Sequence, residues 1–169
     1  MIDHKLIEAL KLKDEQAFED IYHQTKRGVY SIIFSVTKSH AATEDLMQDV
    51  YMKMMNSLDS YQMRTNFYNW LLTMARNQAI DYYRREKKVT PMDLNDFDAM
   101  NQSIESSPDE ETKFQLMIDM LEEDQRAVIL LRMVDDLKFK EIARILDKPL
   151  GTILWHYQQA LKKLKGQEE

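Results

Sequence analysis

Residues 61–88 combine aromatic and cationic side chains. Tyr61, Phe67, Tyr68 and Trp70 come first, followed by Tyr82, Tyr83, Arg84, Arg85, Lys87 and Lys88. Flat aromatic faces stack on unpaired bases and cations track phosphate, so this combination points to a surface that holds a single nucleic-acid strand. Asn77 and Asp81, four residues apart, share one helical face and can pair with base edges or with each other. Near the C-terminus a second basic, helical segment carries Lys162, Lys163 and Lys165. Nucleic acid is therefore expected to be gripped at two places.

Other chemistries find little support. Asp20 and His23 have the i, i+3 spacing of helical di-metal sites, but such sites need two copies and further carboxylates. His4, His40 and His156 lack matching partners. The three glycines, Gly28, Gly151 and Gly166, are isolated, so no glycine-rich phosphate loop exists. There is no cysteine, hence no disulfide framework and no thiolate metal site. No enzyme activity, metal or cofactor is expected.

The elements that must position these residues are helices. Only three Gly and three Pro occur in 169 residues, which favours long helices with few tight turns. Apolar residues recur at three- and four-residue steps over 15–38 (Phe18, Ile21, Tyr22, Val29, Ile32, Ile33, Val36), over 41–57 (Leu46, Val50, Met54, then Leu58) and over 66–88 (Phe67, Trp70, Leu71, Met74, Ala75, Ile80). A short helix over 3–12 precedes them. Met47, Met52, Met54 and Met55 share the third helix, where flexible thioethers fill gaps or build an adaptable partner surface. Thr65 or Asn66 is placed to cap the fourth. Further on, helices are expected over 114–120 and 125–134. They are followed by a helix-turn-helix in which 137–146 and 151–165 flank Asp147, Lys148, Pro149 and Leu150. Its core is read as Ile142, Ala143, Leu146, Ile153, Tyr157 and Leu161, with Thr152 capping the second helix.

Charge divides the chain further. The formal net charge is −6, yet residues 1–89 carry 13 Lys/Arg against 12 Asp/Glu and residues 113–169 carry ten of each. Residues 90–112 hold seven acids and no base. This segment, with Pro91 and Pro108 near its ends, reads as an acidic linker between two small helical domains at 1–89 and 113–169. Met92, Leu94, Phe97, Met100 and Ile104 favour its docking somewhere. The N-terminus is broken by charges and no apolar run approaches the roughly 20 residues a bilayer requires, so a cytoplasmic protein is expected.

Two ordered patterns then carry a family resemblance. Residues 43–51, TEDLMQDVY, 67–71, FYNWL, and 75–85, ARNQAIDYYRR, match A-E-D-L-x-Q-E/D-V-F, an aromatic segment and A-R-N-x-A-x-D-x-x-R-R. Residues 121–133, LEEDQRAVILLRM, 139–146, FKEIARIL, and 149–153, PLGTI, match L-P-x-x-x-R-x-V-x-x-L-R, Y-x-E-I-A-x-x-L and P-x-G-T-V. The chain resembles the sigma-70 superfamily of bacterial RNA polymerase, in its extracytoplasmic-function (ECF) group.

The resemblance implies an all-α fold that binds core RNA polymerase, recognises promoter DNA and melts it to start transcription. It implies that Asp45, Gln48, Asp49, Tyr51 and Lys53 dock on the polymerase clamp, Leu46 and Val50 of the same helix being core. It implies a minus-ten site for the melted strand: Tyr61, Gln62, Arg64, Thr65, Asn66, Phe67 and Trp70 around a flipped-base pocket, Asn77 and Asp81 at base edges, and Arg76, Arg84 and Arg85 on phosphate. It implies that Lys148, Thr152, Leu154, Trp155, His156, Gln158, Gln159 and Lys162 meet the minus-thirty-five element in the major groove. There the chain departs from its family. Most members place Lys, Ser and Arg after G-T-V, where this chain has Leu154, Trp155 and His156, then Gln158 and Gln159. Gln can pair with adenine edges, and Leu or Trp can pack on thymine methyls. An anti-sigma factor, membrane-bound in some cases, is implied as a further partner, and the acidic linker is expected to thread into the polymerase's basic channels. The alternative reading is a sigma-like helix-turn-helix regulator, or one subunit of a split sigma factor.

Overall fold

The structure, a computed structural model, describes residues 2–63, 65–89 and 110–166. The acidic linker expected over 90–112 lies almost wholly outside the described residues, and Arg64 lies outside them too. Eight α-helices are described: α1 (His4–Lys11), α2 (Glu15–Thr37), α3 (His40–Ser57), α4 (Phe67–Val89), α5 (Glu110–Asp119), α6 (Glu123–Met133), α7 (Phe139–Leu146) and α8 (Leu150–Lys165). No strand occurs among the described residues.

Local chemistry sets most helix ends. The side chains of Asp3, Asp14 and Ser39 accept hydrogen bonds from the backbone N–H of Lys5, Ala17 and Ala42, each filling one of the donors a helix start leaves open. Asn66 does the same for Asn69 at the start of α4, at 3.1 Å. Gln125 accepts from the N–H of Glu122 and Glu141 from that of Lys138, contacts that reach back from the first turns of α6 and α7. α2 and α7 both stop at residues in the left-handed region, Lys38 (φ 53°) and Asp147 (φ 52°). α8 begins after Pro149, which removes an N–H the helix would not have used. Thr152 thus sits inside the first turn and caps nothing.

The expected stripes are buried along their centres, with Phe18, Tyr22, Trp70, Met74 and Ile80 half-buried at the edges. Leu46, Val50, Met54 and Leu58 of the α3 stripe are 4% exposed or less, as are Ile21, Val29, Ile32 and Ile33 of α2. α2 is the central element, touching α1, α3, α4 and α6, and α7 packs on α4. One continuous core therefore runs through both halves. It joins Ile32, Ile33, Leu71 and Leu72 to Val128, Leu131, Ile142 and Ile145.

Polar contacts seal this seam. Arg126, 5% exposed, donates from Nε to the Ser35 carbonyl at 2.9 Å and from a terminal nitrogen to the Leu121 carbonyl. Burial lowers its pKa, with Glu123 and Asp119 opposing. Tyr68 of α4 donates its hydroxyl to the Asp135 carboxylate just after α6. Gly28 of α2 lies against both groups, and a Cβ there would collide with the Tyr68 hydroxyl. Glycine here lets Tyr68 and Asp135 meet against the α2 backbone; any larger residue would push their side chains away. Burial raises the pKa of Asp135 above the usual carboxylate value, while the Tyr68 hydrogen bond and Arg27 pull it down. Lys38 and Asp119, 3.5 Å apart, add an exposed pair of small value.

Candidate nucleic-acid interface

The loop before α4 is built around an aromatic triad. The Tyr61 ring lies 5.2 Å from Phe67, edge to face, and 5.1 Å from Trp70; Phe67 and Trp70 are 5.4 Å apart. Tyr61 and Phe67 are 4% and 3% exposed, so their faces are spent on each other. The expectation that they offer stacking faces is corrected here: they prop the loop from beneath. Tyr61 also donates its hydroxyl to the Thr65 carbonyl, and Thr65 donates to the Gln62 carbonyl at 2.9 Å. What the loop presents outward is Gln62, Thr65 and Asn66, all exposed, with the half-buried Trp70 behind them.

α4 carries this surface away from the loop. Asn77, Asp81, Arg84, Arg85 and Lys88 are exposed at i, i+4, i+7, i+8 and i+11, a single stripe, with Arg76 half-buried beside it. Lys87 lies 4.5 Å over the exposed Tyr83 ring, a cation–π contact. At 1.5 Å per residue the loop and the Arg84–Arg85 pair are about 25 Å apart, a span of several nucleotides.

On α3, Asp45, Gln48, Asp49 and Lys53 are exposed as expected. Lys53 donates to the Gln78 side-chain carbonyl of α4 at 3.3 Å and ties this face to α4. Tyr51 is corrected: it is 5% exposed and its hydroxyl meets the Thr25 hydroxyl at 2.8 Å. Burial raises its pKa. Sequence reasoning missed the groove alongside, about 670 Å³, in which Phe18, Tyr22, Met47 and Met55 adjoin the exposed Met52 and Gln48. The cluster of methionines on one helix was its signal. Periodicity then separates Met47 and Met54, which are buried, from Met52, which is not.

The second candidate surface is the outer face of α8. Leu154, Trp155, Gln158 and Lys162 are exposed, and Thr152 and Gln159 are partly so. His156 is corrected: it is 9% exposed and its Nε2 points at Asp124 of α6, 3.6 Å away. Lys148 is held by the same carboxylate at 2.9 Å. Neither side chain is aimed outward for a base. Ile153, His156 and Ala160, at i, i+3 and i+7, are the buried stripe of α8, whereas Tyr157 and Leu161, expected in the core, are half-buried at its edge. Lys163 likewise turns inward, to Glu122 and Gln125.

Known proteins identify the family. Residues 12–89 match the family model of Sigma-70 region 2, and residues 111–164 match that of Sigma-70, region 4. The ECF RNA polymerase sigma-E factor of Escherichia coli (strain K12) is 30% identical over 169 residues, covering 90% of this chain and 87% of that protein. The chain belongs to the ECF group of the sigma-70 family. The ECF RNA polymerase sigma factor SigX of Bacillus subtilis (strain 168) is 29% identical over 165 residues, 92% of this chain and 85% of that one. Among solved structures, CnrH in complex with the cytosolic domain of CnrY matches with a TM-score of 0.72 at 18% identity, over 97% of this chain and 95% of that one. The sigma factor RpoE of Bartonella quintana, in complex with the anti-sigma factor NepR, matches at 0.68 and 24%, over 88% and 94%. These two likenesses describe the fold alone. As an ECF sigma factor the chain directs promoter recognition and transcription initiation. Among the described residues no helix is long and apolar enough to cross a membrane.

Proposed function

We propose the following division of labour within this sigma factor. Residues 1–89 bind core polymerase and hold the melted minus-ten strand, residues 113–169 read the minus-thirty-five element, and the acidic stretch 90–112 joins them. The observation that carries the reading is the propped loop: an exposed polar rim, Gln62, Thr65 and Asn66, on a buried aromatic base, at the head of an exposed cationic stripe. A flipped base needs amide and hydroxyl groups at its edge and a rigid floor beneath, and the following strand needs cations. Arg76, Arg84 and Arg85 supply the cations, with Asn77 and Asp81 between them. Asp45, Gln48, Asp49 and Lys53 form the polymerase-docking face. The outer face of α8 enters the major groove. An anti-sigma factor is a further partner, in keeping with the RpoE of Bartonella quintana solved with the anti-sigma factor NepR. The protein acts in the cytoplasm, where its polymerase and promoter are, and we assign it no catalytic step.

The test is run-off transcription with purified core polymerase on a promoter library. A defined promoter class should be transcribed, and Gln62→Ala with Thr65→Ala should abolish open-complex formation while core binding persists. Melting that survives this double substitution would remove the loop from the mechanism. Core binding without any transcription by the wild type would favour a regulator or split sigma factor, a reading to which the arginine-free α8 lends some support.

A further inference from the structure

We propose that α8 reads thymine by its methyl group, with Trp155 and Leu154 as the specificity-determining residues and Gln158 selecting the adenine edge nearby. This rests on the placement of α8 in the major groove. Three apolar side chains crowd the outward face of its first two turns: Leu150 is 37% exposed, Leu154 38% and Trp155 53%. Gln158 follows one turn on, and the first exposed cation of the helix is Lys162. Nothing inside the fold requires this apolar face, because the buried side of α8 is supplied by Ile153, His156 and Ala160.

The major groove offers few partners for such a face. Guanine is read chiefly by Arg or Lys reaching its O6 and N7, and α8 has no arginine. Lys148, the cation nearest the helix start, is bound by Asp124. His156 is turned toward the same carboxylate. The one apolar group that a base pair displays in this groove is the thymine 5-methyl, and glutamine matches adenine through N6 and N7. The exposed side chains of α8 therefore complement A·T pairs, whereas a Lys-Ser-Arg face would complement guanine and phosphate.

The experiment uses holoenzyme formed from the full chain and core polymerase. An upstream element is first selected from promoters randomised in that region. Each thymine in it is then replaced singly by uracil, which keeps every hydrogen bond and removes only the methyl. At one or two positions the replacement should weaken promoter binding about fourfold, the value of one buried methyl. The loss should disappear in Trp155→Ala combined with Leu154→Ala, and should persist in Lys162→Ala. Uracil performing as well as thymine throughout an A·T-rich element would overturn the methyl reading while leaving α8 in the groove. An element dominated by G·C would do the same. Selection that enriches the downstream element alone would instead remove α8 from DNA and make its apolar face a protein contact, overturning both readings. Trp155 and Leu154 are substantially exposed, so the variants should fold, and the uracil series on wild type needs no variant.

Discussion

Each half of the molecule carries a tryptophan near its candidate DNA surface, and the two are used in opposite ways. Trp70 leans on Tyr61 and Phe67, and the polar residues of the loop stand outside the triad. Trp155 projects from α8, 53% exposed, and meets the His156 ring edge to face. The N-terminal half packs Tyr61 and Phe67 beneath a loop whose polar groups, Gln62, Thr65 and Asn66, face outward. The C-terminal half hides its polar groups, Lys148 and His156 against Asp124, and turns apolar side chains outward. The contrast suits the two proposed roles: an unpaired base is a polar-edged object that needs a rigid pocket, whereas a duplex groove is entered by a helix and sorted by small surface groups.

The comparison breaks most visibly at the two aromatic sites. Phe67→Ala should cost about 3–5 kcal/mol in urea unfolding and with it open-complex formation, because it removes a buried ring from the triad. Trp155→Ala should leave the unfolding midpoint within about 0.5 kcal/mol while changing upstream discrimination. Equal costs at both sites would erase the distinction. Next comes the seam between the halves. Arg126→Met should cost about 1–3 kcal/mol, since the Ser35 and Leu121 carbonyls lose their buried donor. A single cooperative transition that keeps its steepness would show that the halves still unfold together. Tyr61→Phe should cost about 1 kcal/mol, the net value of its bond to Thr65, and loosen the loop without emptying its base.

The smallest effect is in pH. The Asp135 carboxyl has a raised pKa in the folded protein, so the folded state holds its proton more firmly than the unfolded chain. Its contribution is most favourable at low pH and declines as pH rises from the ordinary carboxylate value near ~4 through the raised one. Relative to Asp135→Asn, which still accepts from Tyr68, wild type should lose stability over that rise. Parallel pH series of urea midpoints for the two proteins would show a constant offset if Asp135 played no such part.

The helices and their order were legible in the residues, because capping and apolar periodicity act within a few positions. The boundaries of α1, α2, α3 and α4 lie within one residue of those expected from spacing. That Gln62, Thr65 and Asn66 and the polar residues of α4 face outward was legible too, since a helix that buries its apolar stripe turns its polar residues to solvent. Side-chain direction was legible only where periodicity was consulted. Tyr51, Tyr61, Phe67 and His156 are residue types that serve equally as core or as ligand contacts, and each turned inward.

What lay beyond reading was the association of the halves. Tyr68 meets Asp135 across 67 residues and Arg126 meets Ser35 across 91, with segment 90–109 in between. A glycine in mid-helix usually marks a weak spot. Gly28 acquires its meaning only when α4 and the end of α6 arrive beside it. Helix formation and capping are contests among neighbours along the chain, so the order of residues settles them. The seam depends on shape and on burial of charge between distant surfaces, and those quantities exist only once the surfaces meet.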